Sequence, residues 1–131
     1  LQWVRHPQQT RPRMLKHLMQ EREPEPWRLD AFRKKTTSST MDGSEFLLFD
    51  VKLAHGITRT AALELIPSGP LLDWESFVLY EEIPWQDYVA ERPGKAHVFR
   101  VHCAPDDYYN FGYSNAETHL CLRIDSPITI L

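Results

Sequence analysis

The chain changes character near residue 40, and that change limits what it can fold into. Residues 1–40 carry nine Lys or Arg and four acids, a net +5. Residues 41–131 carry six bases and fourteen acids, a net −8. The first stretch holds four prolines and no glycine, whereas much of the second alternates with the period of two that strands require. The division predicts a basic, proline-rich arm and linker over 1–40 and an acidic antiparallel β domain over 41–131.

A chain of 131 residues has the length of one domain and is long enough to bury a core. No apolar run approaches the ~20 residues of a membrane-spanning helix. Residues 1–20 carry four Lys or Arg, two His and no acid, behind Leu1 rather than Met. Such a start fits the residue left when an organellar presequence is removed, so a mitochondrial location is expected, with a cytoplasmic one as the alternative. A trimmed chain would begin in the same way. A basic arm also raises nucleic acid as a partner. The acidic body would repel phosphate, and no nucleic-acid module is legible, so nucleic acid is not expected. An acidic protein surface, the chain's own body included, is the expected counterpart.

Within the arm, residues 1–13 read as extended, because Pro7 and Pro12 each bias the preceding residue away from helix. Met14, Leu15, Leu18 and Met19 predict a short amphipathic helix over 13–22. Glu23-Pro24-Glu25-Pro26 ends it, and Pro26 then opens a second short helix, with Asp30 early and Arg33-Lys34-Lys35 late, as the helix dipole prefers. The tract 36–40 reads as the linker. In the body, 45–54 and 57–66 predict a hairpin around His55-Gly56, with Phe49 opposite Leu63, Val51 opposite Ala61 and Leu47 opposite Leu65. Pro67-Ser68-Gly69-Pro70 is a break. Residues 73–83 predict a central strand, 84–91 a short helix, and 95–104 a strand with Cys103 on the core face. Residues 108–113 and 118–125 predict a last hairpin with aromatic–aliphatic cross-strand pairs, and 128–131 a final short strand. The fold class is mainly β: an antiparallel sandwich or curved sheet of about six strands, with an N-terminal arm containing one or two short helices.

Chemistry is sparse. His97, His102, Cys103, His119 and Cys121 lack metal-ligand spacing, and His102 and Cys103 point to opposite faces of a strand. Cys103 and Cys121 fall on different faces and read as free thiols. Asp106-Asp107-Tyr108-Tyr109-Asn110 has the residue types to bind Ca²⁺ or stack a sugar ring, but Pro105-Asp106-Asp107 is equally good turn chemistry. Glu81, Glu82, His97 and His102 offer acids and bases for a small hydrolase or isomerase, without any catalytic motif. No cofactor is implied. Trp85 and Tyr88, three apart on a short helix, form either a cap over the core or a docking patch.

Two functions from different classes follow. The leading one is a non-catalytic accessory subunit of a larger assembly. Its arm would order on a neighbouring subunit by burying Trp3, Met14, Leu18, Trp27 and Phe32, with Trp85 and Tyr88 as a further docking patch. Such an arm should be disordered alone and dispensable for folding of the body. The other is a small β-sandwich binding module for a sugar or other small ligand, using Asp106, Asp107, Tyr108 and Trp74 or Trp85.

Overall fold

The computed structural model describes residues 2–20, 28–40 and 43–125. It is mainly β, with a four-stranded antiparallel sheet, a separate two-stranded sheet and a few helices. The chain divides into two compact units, 1–80 and 81–131. In chain order the first holds α1 (Pro7–Met19), β1 (Leu29–Ser39), β2 (Glu45–Leu53), β3 (Thr58–Ile66), β4 (Gly69–Leu72) and α2 (Trp74–Val78). The second holds α3 (Trp85–Glu91), β5 (His102–Pro105) and β6 (Leu122–Asp125).

The large sheet runs in the order β1-β2-β3-β4. The expected hairpin is there, with a register two residues away from the expected one: Phe49 faces Ala61, Val51 faces Arg59 and Leu47 faces Leu63. A 3₁₀ turn over Ala54–Gly56, closed by Gly56 in the left-handed region (φ 82°), lengthens the loop. A two-residue slip preserves which side chains share a face, so the pattern and the observed register agree on the faces. The break at Pro67-Ser68 is a tight turn into β4, made possible by Gly69 at φ 121°.

The arm departs most from expectation. Helix α1 begins at Pro7, where the missing N–H costs nothing, and it runs through Pro12. An interior proline costs about 3 kcal/mol. Contacts along the helix offset that cost. Thr10 donates its hydroxyl to the Arg5 carbonyl at 2.9 Å, Arg13 pairs with Glu75 at 2.6 Å, and the His17 ring stands edge-on to Trp74 at 5.3 Å. The second expected helix is instead β1, and the tract 36–40 read as linker is largely its C-terminal half. Strand β1 pairs antiparallel with β2 along its length, with bulges near Ala31 and between Lys34 and Thr36. Phe32 meets Phe49 on the diagonal (6.2 Å), and Arg33 sits opposite Asp50 (3.3 Å). Cross-strand pairing of this kind outweighs the weak helical preference of the segment.

Residues 74–78, expected in a strand, form the single-turn helix α2. Asp73 caps it by accepting the Ser76 N–H at 3.1 Å, and Leu79 ends it in the left-handed region. Trp74, Phe77 and Val78 then share one helical face and form the core with Leu53, Ala61 and Tyr80. Met14, Val4 and Phe49 pack against that core half-buried.

One side chain ties these pieces together. Arg5 donates to Glu64 on β3 (2.5 Å) and to Asp73 at the head of α2 (2.9 Å), and its guanidinium lies over the Phe46 ring (4.8 Å). Burial works against its charge, but the Glu64 and Asp73 carboxylates outweigh burial and raise its pKa above the ordinary arginine value. The neighbouring backbone joins in: Leu72 donates to the Trp3 carbonyl (2.8 Å) and Arg5 donates to the Leu72 carbonyl (3.0 Å), so residues 3–5 lie along the outer edge of β4. Among the described residues, the arm expected to order only on a neighbour packs on the chain's own β sheet and α2.

In the second unit α3 starts after Pro84 as expected. Of the predicted strand 95–104 only residues 102–104 fall in β5, apart from a single bridge between Glu81 and Phe99. Cys103 is exposed rather than on a core face. The predicted hairpin of 108–113 with 118–125 does not form. Its turn is present, with Asn115 accepting the Glu117 N–H at 2.9 Å, but β6 pairs with β5 instead. A lone two-stranded ribbon is marginal in water, and 108–113 leaves the strand conformation for a 3₁₀ turn at Phe111–Tyr113. The expected strand at 128–131 lies outside the described residues.

Two outcomes follow. Arg5→Met leaves Glu64 and Asp73 without their cation. It should cost about 2 kcal/mol, between the figures for exposed and buried pairs, read as a lower urea midpoint in circular dichroism. A chain starting at residue 41 should lose the cooperative unfolding of the first unit, because β1, α1 and the Arg5 contacts go together; a sharp transition of native amplitude would show the arm to be dispensable.

Candidate functional site

Helix α1 is turned against its own pattern. The side chains it buries are polar, with Thr10 at 3% and His17 at 5% exposed. Its aliphatic residues Leu15, Leu18 and Met19 are 54%, 61% and 83% exposed. These positions, i, i+3 and i+4, form one stripe. The inversion has a local cause: the inward face is committed to Arg13–Glu75 and His17–Trp74, so the apolar residues take the outward face. Arg11 and Lys16 are exposed on the same helix.

The sequence-predicted docking residues are divided by the fold. Trp3, Leu18 and Phe32 are exposed in the first unit. Met14 is half-buried against the core, and Trp27 lies outside the described residues. Trp85 and Tyr88 are half-buried in the second unit, where both stack edge-on against Phe99 at 5.2 and 5.0 Å.

A cavity of about 420 Å³ opens in the second unit. Tyr108, Tyr109, Asn110, Tyr113, His119 and Cys121 line it, with Leu120 and Leu122. The acidic loop supplies part of it. Asp106 serves the turn, accepting the N–H of Asp107 (2.8 Å) and of Tyr108 (3.2 Å), which sends Tyr108 into the lining. Each ring of the wall is held. Asn110 donates to the Tyr108 hydroxyl (2.7 Å), Cys121 N–H donates to the Tyr109 hydroxyl (3.4 Å), and Tyr113 stands edge-on to His119 (5.3 Å). His119 Nδ1 lies 2.9 Å from the Thr118 hydroxyl and 3.2 Å from the Asn115 carbonyl. Phe111 beside the cavity holds φ 51°, a left-handed conformation that costs a bulky residue about 1–2 kcal/mol.

Trp74, the other aromatic proposed for ligand contact, is 3% exposed in the core of the first unit and presents no face to a ligand. Tyr113, His119 and Cys121 were missed as lining residues because they read as strand. A signal for them does exist: 108–115 is Tyr-Tyr-Asn-Phe-Gly-Tyr-Ser-Asn, the rigid-aromatic and small-polar composition of binding loops. Among the described residues no group of three or more His, Cys, Asp or Glu side chains is placed to hold a metal ion. Of the acids and histidines offered for a hydrolase, Glu82 and His97 lie 3.7 Å apart, and neither lines the cavity.

No protein family, characterised protein or solved structure matches this chain. Function is carried by geometry and chemistry alone.

The two thiols report on this region. Both are free; Cys103 is exposed, whereas Cys121 is half-buried and donates its S–H to the Tyr108 carbonyl at 3.3 Å. Iodoacetamide should alkylate Cys103 several-fold faster than Cys121, as read by peptide mass spectrometry.

Proposed function

We propose that the chain is a non-catalytic accessory subunit of a larger protein assembly, in the mitochondrion or another organelle, docking through the outward face of its basic N-terminal arm. The observation that carries this reading is the inverted helix α1, which offers Leu15, Leu18 and Met19 to solvent while burying the polar Thr10 and His17. A single exposed leucine is ordinary; a stripe of three on one helix face is the pattern that helix-in-groove recognition uses. Arg11 and Lys16 are exposed on the same helix, so the partner surface is apolar with an acidic rim.

A second reading, a module that binds a small ligand, is favoured by the cavity of the second unit, whose size falls within the range of about 300–1,000 Å³ usual for such sites.

The docking test uses the full chain and its Leu18→Glu/Met19→Glu variant as baits in native extracts. Both positions are exposed, so the melting temperature should stay within ~2 °C. A stoichiometric partner should be retained by the first bait and lost by the second, and rising salt should weaken its capture. An identical set of proteins on both baits would remove the role of this face.

A further inference from the structure

We propose that the cavity of the second unit is an aromatic cage for a trimethylammonium group, an inference that rests on the small-ligand reading and names its chemistry. What the cavity offers follows from how its polar atoms are used. The Tyr108 and Tyr109 hydroxyls each already accept a hydrogen bond, from Asn110 and from the Cys121 N–H. Asn110 spends its amide on Tyr108, and His119 Nδ1 is engaged by Thr118 and Asn115. Asp106 accepts two backbone N–H groups. Most of the lining is nonetheless apolar, built of aromatic rings and leucines, and three tyrosines supply the rings.

Charge selects among ligands that want ring faces. Residues 105–122 contain Asp106, Asp107 and Glu117 and no Lys or Arg; the next base, Arg123, stands beyond them on β6. No Lys or Arg is among the residues that line the cavity. A cation is drawn in by the acids and by the negative faces of the rings. A primary ammonium would bring three N–H donors and need acceptors for them. A trimethylammonium group brings none, spreads its charge over methyl groups and is cheaply desolvated, so it suits a wall that is mainly aromatic and aliphatic. Because Asn110, Cys121 and His119 hold the rings in place, little ordering cost falls on binding.

The group could arrive on a free choline-type molecule or on a trimethylated lysine, and the test separates the two. Full-length protein is titrated by calorimetry with choline, with its neutral isostere 3,3-dimethylbutan-1-ol, and with a short peptide carrying trimethyllysine or unmodified lysine. Choline or the methylated peptide should bind about tenfold more tightly than the isostere or the unmodified peptide. Tyr113→Leu, which keeps bulk without a ring, should lose about tenfold in affinity, and Tyr113→Phe should retain binding. Tyr113 is 69% exposed, so neither change threatens the fold. Occupancy should slow alkylation of Cys121 and leave Cys103 unaffected. Equal binding of choline and the isostere overturns the cation preference. A melting shift with neutral sugars or ring compounds but none with choline overturns this proposal and leaves the small-ligand reading standing. No shift with any of them ends both.

Discussion

The first unit is organised around one cation. Arg5 meets Glu64 of β3, Asp73 at the start of α2 and the ring of Phe46 on β2, so four separate stretches of chain converge on a single guanidinium. Asp73 does two jobs there, holding Arg5 through one oxygen and capping α2 through the other. Capping fixes where α2 starts, and α2 carries Trp74, Phe77 and Val78 into the core. The hydrophobic cluster and the ion network are thus one construction. A core this small, with no side chain wholly removed from solvent, depends on such a clamp for its geometry.

The same commitment explains the exposed apolar stripe of α1. Once Arg13 engages Glu75 and His17 meets Trp74, the polar face of α1 is inward, and Leu15, Leu18 and Met19 have only solvent left. The cavity of the second unit has a comparable logic. Several of its polar groups bond one another, and its wall is mainly aromatic and aliphatic. In both places internal pairing helps decide which apolar surface is presented.

Faces and breaks were legible in the sequence where local pattern and tertiary pairing agree. The hairpin of β2 and β3, the start of α3 after Pro84 and the Asn115 turn are such cases. The spacing Trp74, Phe77, Val78 was also helical, i, i+3, i+4, behind a capping Asp, but a short apolar run satisfies strand and buried helix alike. Strand β1 was hidden for a different reason. Its Pro26–Lys35 charges resemble a helix with a well-placed dipole, and only the partner β2 makes Phe32 and Arg33 more favourable as a strand. The hairpin expected at 108–125 shows the converse: its alternation was real, yet Leu122–Asp125 pairs with β5 instead of with 108–113. The charge contrast between arm and body marked an attraction correctly, and it could not say that the attraction is satisfied within the chain.

The two margins of the large sheet are treated unequally. The outer side of β4 is occupied by residues 3–5, while among the described residues β1 has a hydrogen-bonded strand neighbour on one side only. An eleven-residue margin left flat would invite a second molecule to add its own strand, the first step of runaway self-assembly. Two irregularities and the run Arg33-Lys34-Lys35 sit on that margin. They break the even spacing an incoming strand would need and repel a like-charged copy. The basic character of this segment is thus of the kind that disfavours strand addition at an open edge.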